Sequence, residues 1–239
     1  MKTKTILLAA VLFLIPYTLY LIPLSSAQAN LPGAGNALRF NGTSDYVDCG
    51  NNASLNITGA ITLEVWVKIT SLAANTPVSK VNASGYGYGL GIDAAGIIYF
   101  VVSSDGSSWG TLIAIPSTIT DNKWHHLAGV NSVSGGYLYL DGVLIGNDAS
   151  PAASIAVVSS PLWIAKYNNT TGTNFFNGQI DEVRIWNRAL NQTEIRDNMC
   201  QKLIGNETGL VGYWRFDETS GTTANDSQTN VPPNNGTLK

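Results

Sequence analysis

The residues of this 239-residue chain that could do chemistry are few: two acidic pairs, adjacent histidines, two cysteines and a set of loop aromatics. Paired carboxylates cleave sugar bonds when one serves as acid and the other as base or nucleophile. The available pairs are Asp45/Asp48 and Asp181/Glu182, and neither lines three acids along one strand face, which disfavours hydrolysis. His125 and His126 are the only histidines. As neighbours on a strand they point to opposite faces and cannot share a metal. Neither sits in a Gly-x-Ser-x-Gly context, and nothing pairs them with a nucleophile. Oxygen-ligand chemistry fits better. Calcium takes carboxylate, amide and carbonyl oxygens, and Asn41, Asp45, Asp48 and Asp181 fall at predicted strand ends or turns, where the competing reading is turn formation. Sugar rings stack on exposed aromatics; Trp109 borders the 105–108 turn, and Tyr167, Phe175 and Phe176 flank the polar loop 168–174.

These side chains must be placed by short strands. Residues 61–69 alternate with period two, putting Ile61, Leu63, Val65, Val67 and Ile69 on a buried face. Residues 85–92 put four glycines on one face and Tyr86, Tyr88, Leu90 and Ile92 on the other. No helix start follows to hold an anion, so close packing is the expected role of the glycines. Tyr137–Leu140, Asp141-Gly142 and Val143–Ile145 predict a tight hairpin. Further strands are expected at 37–41, 45–48, 77–82, 96–103, 109–115, 124–131, 161–166, 179–187 and 210–217, the turn spacing of an antiparallel sandwich. Asn191 to Glu194 fits a capping box, and Ile195, Met199 and Leu203 extend it into one helix of about three turns ending near Gly205. The Thr-, Asn-, Pro- and Gly-rich stretch 219–239 predicts a loosely ordered tail.

Charge and composition narrow the function. Only 12% of residues are charged and the net charge is −3, so no basic stripe exists to neutralise nucleic-acid phosphates. Residues 1–29 read as a secretory signal: Lys2 and Lys4, an apolar run from Ile6 to Leu24, and Ala27-Gln28-Ala29 before the cleavage point. The alternative is a retained anchor, since the run approaches the ~20 residues that span a bilayer, although Pro16 and Pro23 interrupt it. Cleavage leaves a secreted chain with no membrane segment. Glycosylation sequons at Asn41, Asn52, Asn56, Asn82, Asn168, Asn169, Asn191, Asn206, Asn225 and Asn235 agree with export, chance giving roughly four. An Asn- and Thr-rich surface without glycan is the rival reading. Cys49 and Cys200 are the only cysteines, and export predicts that they pair as a disulfide.

Four blocks together resemble the laminin-G-like (type 3) domains of the concanavalin A-like lectin/glucanase superfamily. They are Ala37–Gly42 with Asp45-Tyr46-Val47; Ile61 to Lys68; Trp124 to Ala128 leading to Tyr139–Gly142; and Gly178 to Leu190. The resemblance implies an all-β fold, a two-sheet antiparallel jelly-roll sandwich with one short C-terminal helix, over residues 30–208. It implies a non-catalytic adhesion module that binds glycan or an extracellular protein partner, with calcium near the sheet rim at Asp181 and Asn41. The acidic motif of the hydrolytic relatives is missing.

Residues 209–239 form a separate unit. Leu210 to Phe216 and the loop after it resemble the opening strand of this domain type, displaced to the end of the chain. A strand with an apolar face needs a ladder and a core. It can return to its own sandwich as a permuted strand. It can also fill the next molecule, giving self-assembly into an extracellular filament or surface layer by strand donation. A truncated repeat is the third alternative.

Overall fold

The structure is a computed structural model that describes residues 35–69, 71–72, 75–83, 85–116, 119–169 and 172–239. The expected signal segment, residues 1–29, lies outside them. Among the described residues two antiparallel sheets form a sandwich, mostly strand, with one α-helix.

Sheet A runs β1(Leu38–Asn41), β14(Asn177–Trp186), β3(Ile61–Lys68), β8(Trp124–Ser132), β9(Gly135–Leu140), β10(Val143–Asp148). Sheet B runs β16(Thr223–Ala224), β17(Gly236–Leu238), β2(Val47–Asp48), β11(Trp163–Ile164), β4(Asn75–Asn82), β5(Gly85–Ile92), β6(Ile97–Val102), β7(Thr111–Pro116). A hairpin of β12(Lys166–Asn169) and β13(Gly172–Phe175) stands beside sheet B. The predicted 161–166 strand is thus split between β11 and β12.

The alternation of β3 works as expected on the inner side: Ile61, Leu63, Val65, Val67 and Ile69 are all fully buried, packed with Leu90, Ile98 and Phe100 of sheet B. Asp141 and Gly142 take φ of 51° and 72° between β9 and β10, as a tight hairpin turn requires. The glycine face of β5 serves packing: a Cβ at Gly87 would stand 2.9 Å from the Lys80 carbonyl and 3.2 Å from Val158. Lys80 is itself buried, donating to Asn51 and to the carbonyls of Val158 and Ser160, and burial lowers its pKa to about 8.

Three expectations are corrected. The helix α1(Gln192–Met199) has its capping box at Asn191 and Glu194 but ends at Cys200, so Leu203 is buried by the following loop. Residues 219–239 are ordered: β16 and β17 extend sheet B, and Asp226, Gln228 and Asn234 form a buried hydrogen-bonded knot. The cysteines are unpaired, for a topological reason: Cys49 is a core residue between the sheets, whereas Cys200 is exposed at the end of a helix on the far side of sheet A.

The C-terminal strand β15(Leu210–Trp214) pairs with Val183–Trp186 of β14, while β1 pairs with Asn177–Ile180 of the same strand. Since β3 holds the other edge of β14, β1 and β15 share one lane end to end. Trp214 is fully buried, and β17 pairs with β2. In this single chain the segment pairs with its own sandwich.

Candidate functional site

The outer face of sheet B carries an aromatic platform. Strand alternation sets it up: Val47 and Ile164 point into the core, so Tyr46 and Trp163 lie on the opposite side, Tyr46 half-buried and Trp163 buried beneath its neighbours. Lys166 follows on β12, and β13 returns Phe175 to the same place through the Lys166–Phe175 pair. The Lys166 ammonium lies 3.9 Å from the Tyr46 ring centre, 4.4 Å from Trp163 and 5.9 Å from Phe175. Ser79 on β4 anchors the hairpin by donating to the Lys166 carbonyl at 2.6 Å. Among the described residues Lys166 has no ion-pair partner. The rings balance the ammonium charge from one side, and its donors are left for an oxygen-rich ligand.

Of the aromatics singled out in the sequence, Phe175 belongs to this platform and Tyr167 stands next to it on β12. Phe176 does not: it is fully buried between the sheets, edge-on to Phe40 at 6.3 Å, and is a core residue. Trp109 packs edge-on against Tyr86 at 4.9 Å, apart from the platform rings. Tyr46 and Lys166 carry no mark in the sequence as site residues; the alternation around Val47 holds the signal for Tyr46.

Asn41, Asp45, Asp48 and Asp181 do not fit one calcium ion. Asn41 Oδ1 accepts from the backbone N–H groups of Thr43, Ser44 and Asp45, and its amide nitrogen donates to Asp45 at 2.8 Å. Asn41 is opposite Asn177 on β14, four residues from Asp181, which amounts to ~13 Å along a strand. Asp48 caps the Gly50 N–H at 3.0 Å. Among the described residues no three His, Cys, Asp or Glu side chains form a group that could hold a metal.

The histidines part as expected. His125 sits between Asp121 and Asp141, at 3.1 and 2.9 Å. His126 is buried with Glu64, Glu182 and Arg184 on the outer face of sheet A, sealed beneath α1 and the loop after it. Glu64 accepts from Trp186 at 2.7 Å and faces His126 Nε2 at 3.5 Å. Glu182 accepts from Arg184 at 2.7 Å and from the Tyr213 hydroxyl at 2.6 Å. Arg184 also donates to the carbonyls of Asn198 and Gln201. Burial raises the Glu64 pKa, and burial with the Arg184 charge lowers that of His126 to about 3. Glu182 sits on a bulge of β14 with φ of 52°. The cluster ties the helix to the sheet and is closed to any polymer.

The family profile described as the concanavalin A-like lectin/glucanases superfamily, laminin-G type 3, matches residues 41–196. The chain belongs to this family. The laminin-G-like domain matches no curated protein in sequence. In structure it is similar to a Bacteroides ovatus protein with an inferred carbohydrate-binding role (18% identity, TM-score 0.67, 84% of this chain and 59% of that one). It is also similar to domains LG4-5 of the mouse laminin alpha1 chain (17%, 0.50, 66% and 44%). A third is the binding domain of botulinum neurotoxin DC solved with rat synaptotagmin II (17%, 0.52, 72% and 47%). The chain thus spans between about two fifths and three fifths of these proteins, and the likeness shows the fold.

Proposed function

We propose that this laminin-G-like domain is an exported, non-catalytic module that binds glycan on the outer face of sheet B. The observation that carries the reading is the pair of half-buried rings Tyr46 and Phe175, backed by the buried Trp163, with the Lys166 ammonium among them. Rings offer apolar faces to sugar C–H groups, and an ammonium with open donors holds hydroxyl or carboxylate oxygens. The acids support the non-catalytic part. Asp45 is held in the Asn41 turn, and Asp181 and Glu182 are buried. The leader-like N-terminus supports export, as do exposed sequon asparagines such as Asn52, Asn206, Asn225 and Asn235. The structural neighbours named for carbohydrate or receptor binding agree with a binding role.

A glycan array probed with the mature protein, with and without calcium, tests the proposal. The expected result is a defined set of glycans bound by wild type and lost in Tyr46→Ala and Phe175→Ala, both still folded. Binding unchanged in both variants, or no glycan bound by folded protein, overturns it.

A further inference from the structure

We propose a second binding site, specific for acidic sugars, on the opposite sheet. It is a depression of about 220 Å³ at the open end of sheet A, lined by Arg39, Lys68, Asn122, Asn177, Gly178 and Gln179. The register builds it. Arg39 on β1 is opposite Gln179 on β14, Gln179 is opposite Lys68 on β3, and Lys68 is opposite Trp124 on β8. Residues directly opposite one another share a face, so Arg39, Gln179, Lys68 and Trp124 form one row across four strands. Phe40, Val67 and Ile180, neighbours of Arg39, Lys68 and Gln179, are core residues, and Leu127 sets the same alternation on β8, which fixes the row on the outside. Gly178 permits the close pairing of β14 with β3 here, because a Cβ at that position would come within 2.4 Å of the Lys68 carbonyl oxygen.

Among the described residues neither Arg39 nor Lys68 is in an ion pair. Asp121, beside Asn122, is already engaged by Lys123 and His125, each at 3.1 Å. Two unpaired cations in one hollow repel each other, on a chain whose net charge is −3. Two backbone spacings separate them, about 10 Å. That distance suits an anion approached from both sides, or a chain with anions on successive units. A guanidinium grips carboxylate or sulfate with two parallel bonds. The Gln179 amide supplies donors and acceptors for hydroxyls, and the half-buried Trp124 offers a ring at the end of the row. The combination of cations, amide and aromatic ring selects an anionic sugar over a bare anion.

The probes are a galacturonate oligomer, a sulfated dextran oligomer, a neutral dextran oligomer and inorganic sulfate, titrated by calorimetry at low and high salt. Wild type is expected to bind one or both anionic oligomers at least tenfold more tightly than neutral dextran, less tightly as salt rises. Whichever is preferred, uronate or sulfate, names the acidic group. Arg39→Gln and Lys68→Gln should each weaken binding roughly tenfold, the scale of one charge-assisted contact. Tyr46→Ala should leave it unchanged, so that failure here and failure of the sheet B platform are told apart. Both row variants change solvent-facing ends and are checked by melting. Equal affinity for neutral dextran, unaffected variants, or inorganic sulfate binding as well as the oligomers overturns the proposal.

Discussion

Replacing Arg184 with Met should be among the most damaging single changes in the domain. The guanidinium is 1% exposed and donates to Glu182 at 2.7 Å and to the carbonyls of Asn198 and Gln201 at 2.9 and 2.6 Å. Its charge also favours the ionised form of Glu64, more strongly than that of Arg188 does. Met fills similar space but leaves Glu182 and Glu64 without the cation. Breaking a buried ion pair on one side costs ~3–5 kcal/mol. For a domain of about 200 residues that lowers the melting temperature by roughly 6–20 °C, at ~2–4 °C per kcal/mol. Urea unfolding followed by tryptophan fluorescence measures the loss. The double variant Arg184→Met/Glu182→Leu should recover a part of it, because the orphaned charge is removed, with a coupling of ~1–3 kcal/mol. A loss under about 1 kcal/mol for Arg184→Met, or no recovery in the double variant, refutes the view that this cluster fastens the helix to the sheet.

Three further outcomes follow from the same structure. His126 stays neutral when folded, its pKa lowered to about 3 by burial and then Arg184, against 6.5 unfolded. Below pH 6.5 the unfolded chain therefore takes up a proton that the folded one refuses, and stability falls by ~1.4 kcal/mol per pH unit, offset in part at lower pH by the raised pKa of Glu64. Denaturation midpoints from pH 7 to 5 should drop in wild type and drop less in His126→Gln; parallel curves contradict this. Native protein should react with a thiol reagent at Cys200 alone, and at Cys49 only after unfolding, because burial pushes the Cys49 thiol well up. Peptide mapping that finds a Cys49–Cys200 bridge refutes it. Deleting 209–239 strips the core of Val211, Trp214 and Phe216; the shortened chain should fail to fold cooperatively, and a monomeric, two-state melt of that chain would refute the cis lane.

The strands were largely legible because each has a single period and a turn residue at its end: β3, β5, β8 and β9 lie within two residues of expectation, and β10 runs three residues longer. The hidden part was what covers them. Thr62, Glu64 and Trp66 alternate with the inward face of β3, yet all three are buried because α1 and β15 bring a second, smaller core onto that side. A period of two shows which residues share a face, not whether another element lies on it. The tail misled for a related reason. Its Asn, Thr and Pro residues resemble solvated loop, but Asp226 and Asn234 bind each other and the backbone of β15, an order set by partners distant in sequence. The aromatic platform needed three separated segments to meet at Lys166, of which only the 167–176 hairpin was visible as a candidate.

The central claim, that sheet B's platform holds glycan, is tested most directly by an NMR titration of the labelled mature protein with the glycan that ranks first on the array. The account predicts that the Trp163 indole and the backbone signals of Tyr46, Lys166 and Phe175 shift together with one dissociation constant. Shifts confined to other surfaces, with those four signals unmoved at saturation, would contradict it.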